Sequence, residues 1–263
     1  MHEILHSLSS SARVLDLGCD RRSFDAACTA ARVIRVDREI HFRDANELMV
    51  QADARRLPFA DHSITTIVSN HSLEHFDDLD GALAEIRRVI SQQGSLYVAV
   101  PDASTFCDKL YRWLSKGGGH VNAFTSPDAV VQRIELVTGL PHVATTILYT
   151  SLSFLHQSNS PRPRPRRLLL LGGGREWSLF LFAWLSRLLD RRFGTRLSVY
   201  GWAFYFGTLP DGMNTAAQVN VCLKCGSGNP SALLRQNPMA GLVRQYNCPQ
   251  CGTRNPFSDI GDN

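Results

Sequence analysis

Val14-Leu15-Asp16-Leu17-Gly18-Cys19-Asp20 carries β-favouring apolar positions through an acid into a glycine, and a helix-like pattern resumes from about Ser23. That is a strand delivering its carboxyl end to a glycine turn. Open α/β sheets bind nucleotide-like ligands at such places. A dinucleotide fingerprint would need Gly-x-Gly-x-x-Gly, and this turn supplies Gly18 alone, with Asp20 and Arg22 after it.

Outward from that turn, strand-like and helix-like segments alternate. Phe24–Ala31 reads as a short helix, Val33–Asp37 as a second strand ending in an acid, and Met49–Ala52 as a weaker strand before Asp53. Ile64–Ser69 is a β-branched run, Leu79–Ile90 an amphipathic helix, and Ser95–Val100 a strand stopped by Pro101. Ser126-Pro127-Asp128 starts a helix with proline at its first position, and Gly139-Leu140-Pro141 stops it. The aromatic run Val199–Gly207 reads as the last strand. The pattern predicts an α/β fold with a doubly wound, mostly parallel sheet.

The chain has 263 residues, 44% hydrophobic and 20% charged, enough for one large domain plus a small module. It has no secretory leader pattern and no apolar stretch long enough to span a bilayer. Its charge is uneven. Between Pro161 and Arg196 nine arginines face Glu176 and Asp190, a local +7 within a total of +4, so the remainder carries −3. Of seven cysteines, Cys19, Cys28 and Cys107 are scattered, while Cys222/Cys225 and Cys248/Cys251 form two C-x-x-C pairs. Without a leader, that spacing points to metal in a reducing cytoplasm rather than to disulfides.

Five pieces, in order, resemble the class I S-adenosylmethionine-dependent methyltransferases, and most closely their type 11 members. They are the Asp16–Asp20 turn, Asp37 placed 21 residues after Asp16, the phrase Gln51–Ser63 with its Leu57-Pro58-Phe59-Ala60-Asp61, the phrase Asn70-His71-Ser72-Leu73-Glu74-His75, and Glu85–Ile90 with Gly94. The resemblance implies a seven-stranded Rossmann-like sheet over residues 1–210 with S-adenosylmethionine at its edge. Asp16, Gly18, Cys19, Asn70 and His71 would line the cofactor. Asp37 would take the ribose hydroxyls and Asp53 the adenine amino group.

Methyl transfer asks little of a protein beyond alignment, because the sulfonium is already activated. A base helps when the acceptor is a hydroxyl or an ammonium. His75 and His120 are the candidates. His120 lies in Gly117-Gly118-Gly119-His120-Val121-Asn122, similar to the family's glycine/histidine loop after its fifth strand. His71-x-x-Glu74-His75 also spells the H-x-x-E-H of a class of zinc proteases. Those ligands sit within one helix, whereas His71 follows a strand directly. The spelling therefore reads as a turn over the methyl-transfer end, with Glu74 and His75 as pocket or turn residues.

Residues about 156–197 form a basic, hydrophobic insertion. Pro161, Pro163 and Pro165 alternate with arginines, then Leu168–Leu171 and Trp177–Leu189 bring two apolar blocks. It reads as a cap over the substrate pocket, or as an interfacial segment at the inner membrane face. Residues 217–258 resemble a zinc ribbon. Cys222, Cys225, Cys248 and Cys251, each pair followed by glycine, suit a closed structural Zn2+ site.

The favoured function is methyl transfer to a small-molecule acceptor such as an envelope sugar or lipid precursor. Two other readings stay open. One is an RNA methyltransferase gripping nucleic acid with its ribbon, and the other is a non-catalytic scaffold whose ribbon binds a protein partner.

Overall fold

The computed structural model describes residues 1–20, 22–40, 47–114, 119–159, 172–210, 213, 217–235 and 243–258. The chain divides into two compact units. One comprises residues 1–102, 119–146 and 202–215, and the other comprises 103–118, 147–201 and 216–263. The Pro/Arg run and Leu168–Leu171 lie outside the described residues.

The elements run α1 (His2–Ser7), β1 (Arg13–Leu17), β2 (Arg32–Asp37), β3 (Leu48–Gln51), β4 (Ile64–Asn70), α2 (Leu79–Val89), β5 (Ile90–Pro101), α3 (Phe106–Leu114), α4 (Pro127–Thr138), β6 (His142–Tyr149), α5 (Glu176–Phe193) and β7 (Val199–Gly207). Their sheet has seven strands in the order β3-β2-β1-β4-β5-β7-β6. The neighbours β3–β2, β2–β1, β1–β4 and β4–β5 run parallel. Strand order reverses between β1 and β4, which opens the crevice where doubly wound sheets bind ligands.

Local chemistry accounts for the elements. β1 and β4 are buried almost throughout, as strands covered on both faces are. The Asp78 carboxylate accepts from Gly81 N and caps α2, whose buried stripe is Leu79, Ala82, Leu83, Ile86 and Val89. Such a cap contributes about 1 kcal/mol. Ser126 caps α4, Pro127 occupies its first turn, and Gly139 ends it at φ +70°. In β7, Trp202, Phe204 and Phe206 alternate into the core formed with β1, β4, β5 and α2.

Two features depart from expectation. The helix expected over Phe24–Ala31 is a single 3-10 turn, Ala26–Cys28, begun by the Asp25 carboxylate accepting from Ala27 N and ended at Thr29 in extended backbone. The sheet also ends in an edge strand that the sequence pattern does not announce: β6 presents Val143 and Ile147 to solvent, so these apolar residues sit on the parity that a burial pattern assigns to polar ones.

Residues from Asn220 onward make two short antiparallel ribbons. β8 (Asn220–Val221) pairs with β9 (Gly228–Asn229), and β10 (Gln245–Asn247) pairs with β11 (Arg254–Pro256). A one-turn α6 (Ser231–Leu234) lies between them in sequence.

Candidate active site

Every predicted cofactor residue sits at or just beyond the carboxyl end of β1, β2, β3 or β4. Gly18 takes φ +69°, and a Cβ there would lie 2.4 Å from the Cβ of Ser72. No other residue fits that turn. Gly18 N and Cys19 N both donate to Val36 O, and Asp20, at φ +45°, donates its N–H to Asp37 Oδ2 at 2.7 Å. The acid ending β2 therefore holds the turn after β1. Ser72 Oγ donates to Leu17 O and pairs with Ser69 Oγ, which closes β4 against the same turn.

Asp16 is fully buried. Its Oδ2 accepts from Arg35 Nη1 at 2.5 Å and from Ser23 N at 3.2 Å. Burial pushes its carboxyl up, opposed by Ser23 and the Arg35 charge. Arg35 also donates to Glu47 and to Phe24 O, and its guanidinium stacks over the Phe24 ring. This buried arginine holds the segment that lacks a helix. Cys19 is buried too, its thiol pushed up to about 12 by desolvation and by the Asp16 and Asp37 charges, so it is an unreactive thiol.

Asp37 and Asp53 stay partly exposed at the ends of consecutive strands. Asp53 receives Arg55 through Nε and Nη2, and these bonds hold its carboxyl well below the usual range. Arg38 lies 3.5 Å from Asp53 and 3.3 Å from Asp77. Two reachable carboxylates beside a glycine turn fit an adenosine, whose ribose hydroxyls and exocyclic amine are all donors.

Beyond β4 the chain turns sharply at His71, φ +56°, whose N–H donates to Ala99 O. Burial, then His120 and His75, push its imidazole down to about 4, so it is neutral near pH 7. His75 Nδ1 lies 3.0 Å from Gly119 O, and its ring meets that of His120 edge-on with centroids 4.9 Å apart. Val121 N and Asn122 N both donate to Glu74 O, while Asn122 Nδ2 donates to Leu73 O and Phe76 O. Two segments far apart in sequence are thus fastened together, and Glu74, His75 and His120 offer ligand atoms within 4.8 Å of one another. Sequence reading names each of these residues but not their joining; it gives Asn122 no role and misses Arg35. Arg35 sits between Ile34 and Val36 in a run of β2 buried on both faces, and its place inside that apolar run is the signal the sequence offers.

The four paired cysteines converge separately. Their sulfurs lie within 4.8 Å of one another, with Cys222–Cys251 at 3.6 Å and Cys225–Cys248 at 3.7 Å. Four 2.3 Å bonds in a tetrahedron place sulfurs about 3.8 Å apart, whereas a disulfide needs about 2.05 Å. The spacing fits an ion. The two knuckles are built alike: Gly226 N donates to Cys222 O and Gly252 N to Cys248 O, with both glycines at positive φ. Asn255 braces the first knuckle, its Oδ1 accepting from Leu223 N.

Comparison with known proteins agrees with this geometry. Residues 15–98 match the family model described as a methyltransferase domain. A malonyl-[acyl-carrier protein] O-methyltransferase from Methylococcus capsulatus is 30% identical over 193 residues, spanning 63% of this chain and 70% of that protein. Two solved structures share the fold. A putative methyltransferase from an antibiotic biosynthesis pathway of Anabaena variabilis is 20% identical, with TM-score 0.51 over 78% of this chain and 94% of that one. A SAM-dependent methyltransferase from Archaeoglobus fulgidus is 16% identical, with TM-score 0.51 over 78% and 88%. From the sheet's switch point, the turn built on Gly18 and these likenesses together, the chain belongs to the class I S-adenosylmethionine-dependent methyltransferases.

Proposed function

We propose that this enzyme methylates an oxygen of a small-molecule acceptor, one that is apolar or lipid-linked. The carrying observation is the fastening of the Asn70–His75 turn to the His120 loop beside the cofactor edge. Bound there, S-adenosylmethionine supplies a methyl group already activated by its sulfonium. The protein's part is to hold an acceptor oxygen in line at about 3–3.5 Å and to exclude water.

In this reading Asp37 takes the ribose hydroxyls, Asp53 the adenine amine, and the Gly18–Cys19 backbone the amino-acid end. Asn70 and His71 line the transfer end, and His75 and His120 flank the place of the acceptor oxygen. Asp16 acts as a positioning residue through Arg35. Oxygen as the acceptor atom follows the chemistry that the Methylococcus relative's name records. An apolar acceptor follows from the exposed face of α5, where Trp177, Leu181, Leu185 and Leu188 stand one turn apart between arginines. Residues 217–258 act as a structural Zn2+ module.

The test is to incubate labelled cofactor with cell extract and fractionate the label. Label in lipid or glycan material supports the reading. Label confined to RNA or protein overturns it.

A further inference from the structure

We propose that Glu74, His75 and His120 bind a divalent transition-metal cation whose remaining positions take the acceptor's oxygen. The second half rests on the function proposed above; the first stands on the geometry alone.

Two imidazoles and one carboxylate with open positions are a donor set for zinc, iron, cobalt or nickel, and they differ in kind from the four thiolates of the ribbon. One ligand atom from each residue already lies within 4.8 Å of the others. Bonds of about 2.1 Å bring such atoms to about 3–3.5 Å, a contraction that modest side-chain rotation supplies.

The residues around the trio do what a metal's outer shell does. His75 Nδ1 faces the carbonyl of Gly119 at 3.0 Å. A carbonyl only accepts, so Nδ1 carries the hydrogen and Nε2 keeps the lone pair that a metal needs. The loop bearing His120 is tied to the turn bearing Glu74 by two backbone bonds to Glu74 O and by both hydrogens of the Asn122 amide. The ligands are therefore pre-positioned across 45 residues of chain. Glu74's side chain is 1% exposed, and a carboxylate so placed is stabilised by a nearby cation.

The sequence spelling His71-x-x-Glu74-His75 lacks the helix its protease counterpart needs. The fold supplies a third ligand from another direction, leaving His71 3.9 Å from Glu74. A cation here would sit beside the end of β4 and would lower the pKa of an oxygen bound to it, which suits an oxygen nucleophile.

The experiment is equilibrium dialysis of untagged protein carrying one zinc per chain, in the ribbon, against Co(II), with metal content and S-adenosylhomocysteine binding measured on the same samples. The expected result is one cobalt per chain beyond the zinc. Binding should weaken at least tenfold in His120→Ala and Glu74→Gln and stay unchanged in His142→Ala, a histidine on the edge strand. His120→Ala, on a partly exposed loop, decides the matter if Glu74→Gln fails to fold. No cobalt beyond zinc in the wild type, or wild-type affinity in His120→Ala, overturns the site. Acetohydroxamate, a small oxygen chelator, should shift the cobalt visible spectrum, and an unshifted spectrum overturns the open positions. Loss of S-adenosylhomocysteine binding by the wild type would instead count against the methyltransferase function, since it reads the cofactor edge and not the metal.

Discussion

The guanidinium of Arg35 meets the carboxylate of Asp16 at 2.5 Å with both side chains shut off from solvent. The pair joins β1 to β2 and holds the start of the segment where a helix was expected, Asp16 accepting from Ser23 N and Arg35 donating to Phe24 O. Removing Arg35 strands the Asp16 charge. Arg35→Ala should cost about 3–5 kcal/mol in urea unfolding, and Asp16→Ala should cost less, because Glu47 still pairs Arg35. The double substitution should cost less than the sum, since neither charge is then left alone. Additive costs would show that the pair is not coupled.

Gly18 and Asp20 both take left-handed backbone, but only one is a glycine. Gly18→Ala would press a Cβ onto Ser72 and should destabilise by about 1–3 kcal/mol while abolishing S-adenosylhomocysteine binding. Asp20→Gly should act the other way. It relieves up to about 1 kcal/mol of strain and removes a negative charge near the cofactor's own carboxylate. Calorimetric titration should find tighter binding, and weaker binding would show that Asp20 contributes to the site.

Much of the fold was legible because its phrases are mutual contacts. Glu85 accepts from Leu57 N and from Arg88, while Arg88 donates to Leu57 O, Phe59 O and Asp61. The Leu57-Pro58-Phe59 loop and the Glu85–Arg88 helix end therefore belong together in space as well as in spelling. The short turn at Ala26–Cys28 was not legible, because the Phe24 carbonyl just before it is taken by Arg35, a residue distant in sequence on β2. Edge strand β6 was hidden by its outward Val143 and Ile147. At the site, His75 and His120 could each be named, but hydrogen bonds across 44 residues leave no local pattern.

That clamp has a pH signature. Bonding to Arg88 holds Glu85 below its usual 4.5. A depressed carboxyl contributes stability that is fully present above its unfolded value and is lost as pH falls through the folded one. Wild-type stability should therefore decline below about pH 4.5, and Glu85→Gln should be less stable at pH 7 with a flatter acid limb. Parallel acid limbs for the two proteins would remove Glu85 from the account.

The cysteine cluster predicts a metal-dependent fold for residues 217–258. Structural zinc contributes about 10–16 kcal/mol in small modules, so a short ribbon rarely survives its loss. Chelation, or Cys248→Ser, should expose this segment to protease and remove one zinc per chain by elemental analysis. Full protease resistance in the chelated protein would mean that the ribbon stands without metal.

The outer face of α5 makes the last prediction. Trp177, Leu181, Leu185 and Leu188 are 62%, 52%, 44% and 42% exposed, while Leu179, Ala183 and Arg187 on the opposite face are buried. Arg175 precedes the stripe and Arg191, Arg192 and Arg196 follow it. The helix is not long and apolar enough to cross a membrane. An apolar stripe between cations suits the surface of an anionic bilayer, where each arginine contributes about 1 kcal/mol. The protein should float with phosphatidylglycerol vesicles and not with neutral ones. Trp177→Ser with Leu181→Ser should abolish flotation at little cost in stability, because both side chains already face water. Equal flotation of wild type and variant would assign the attraction to charge alone.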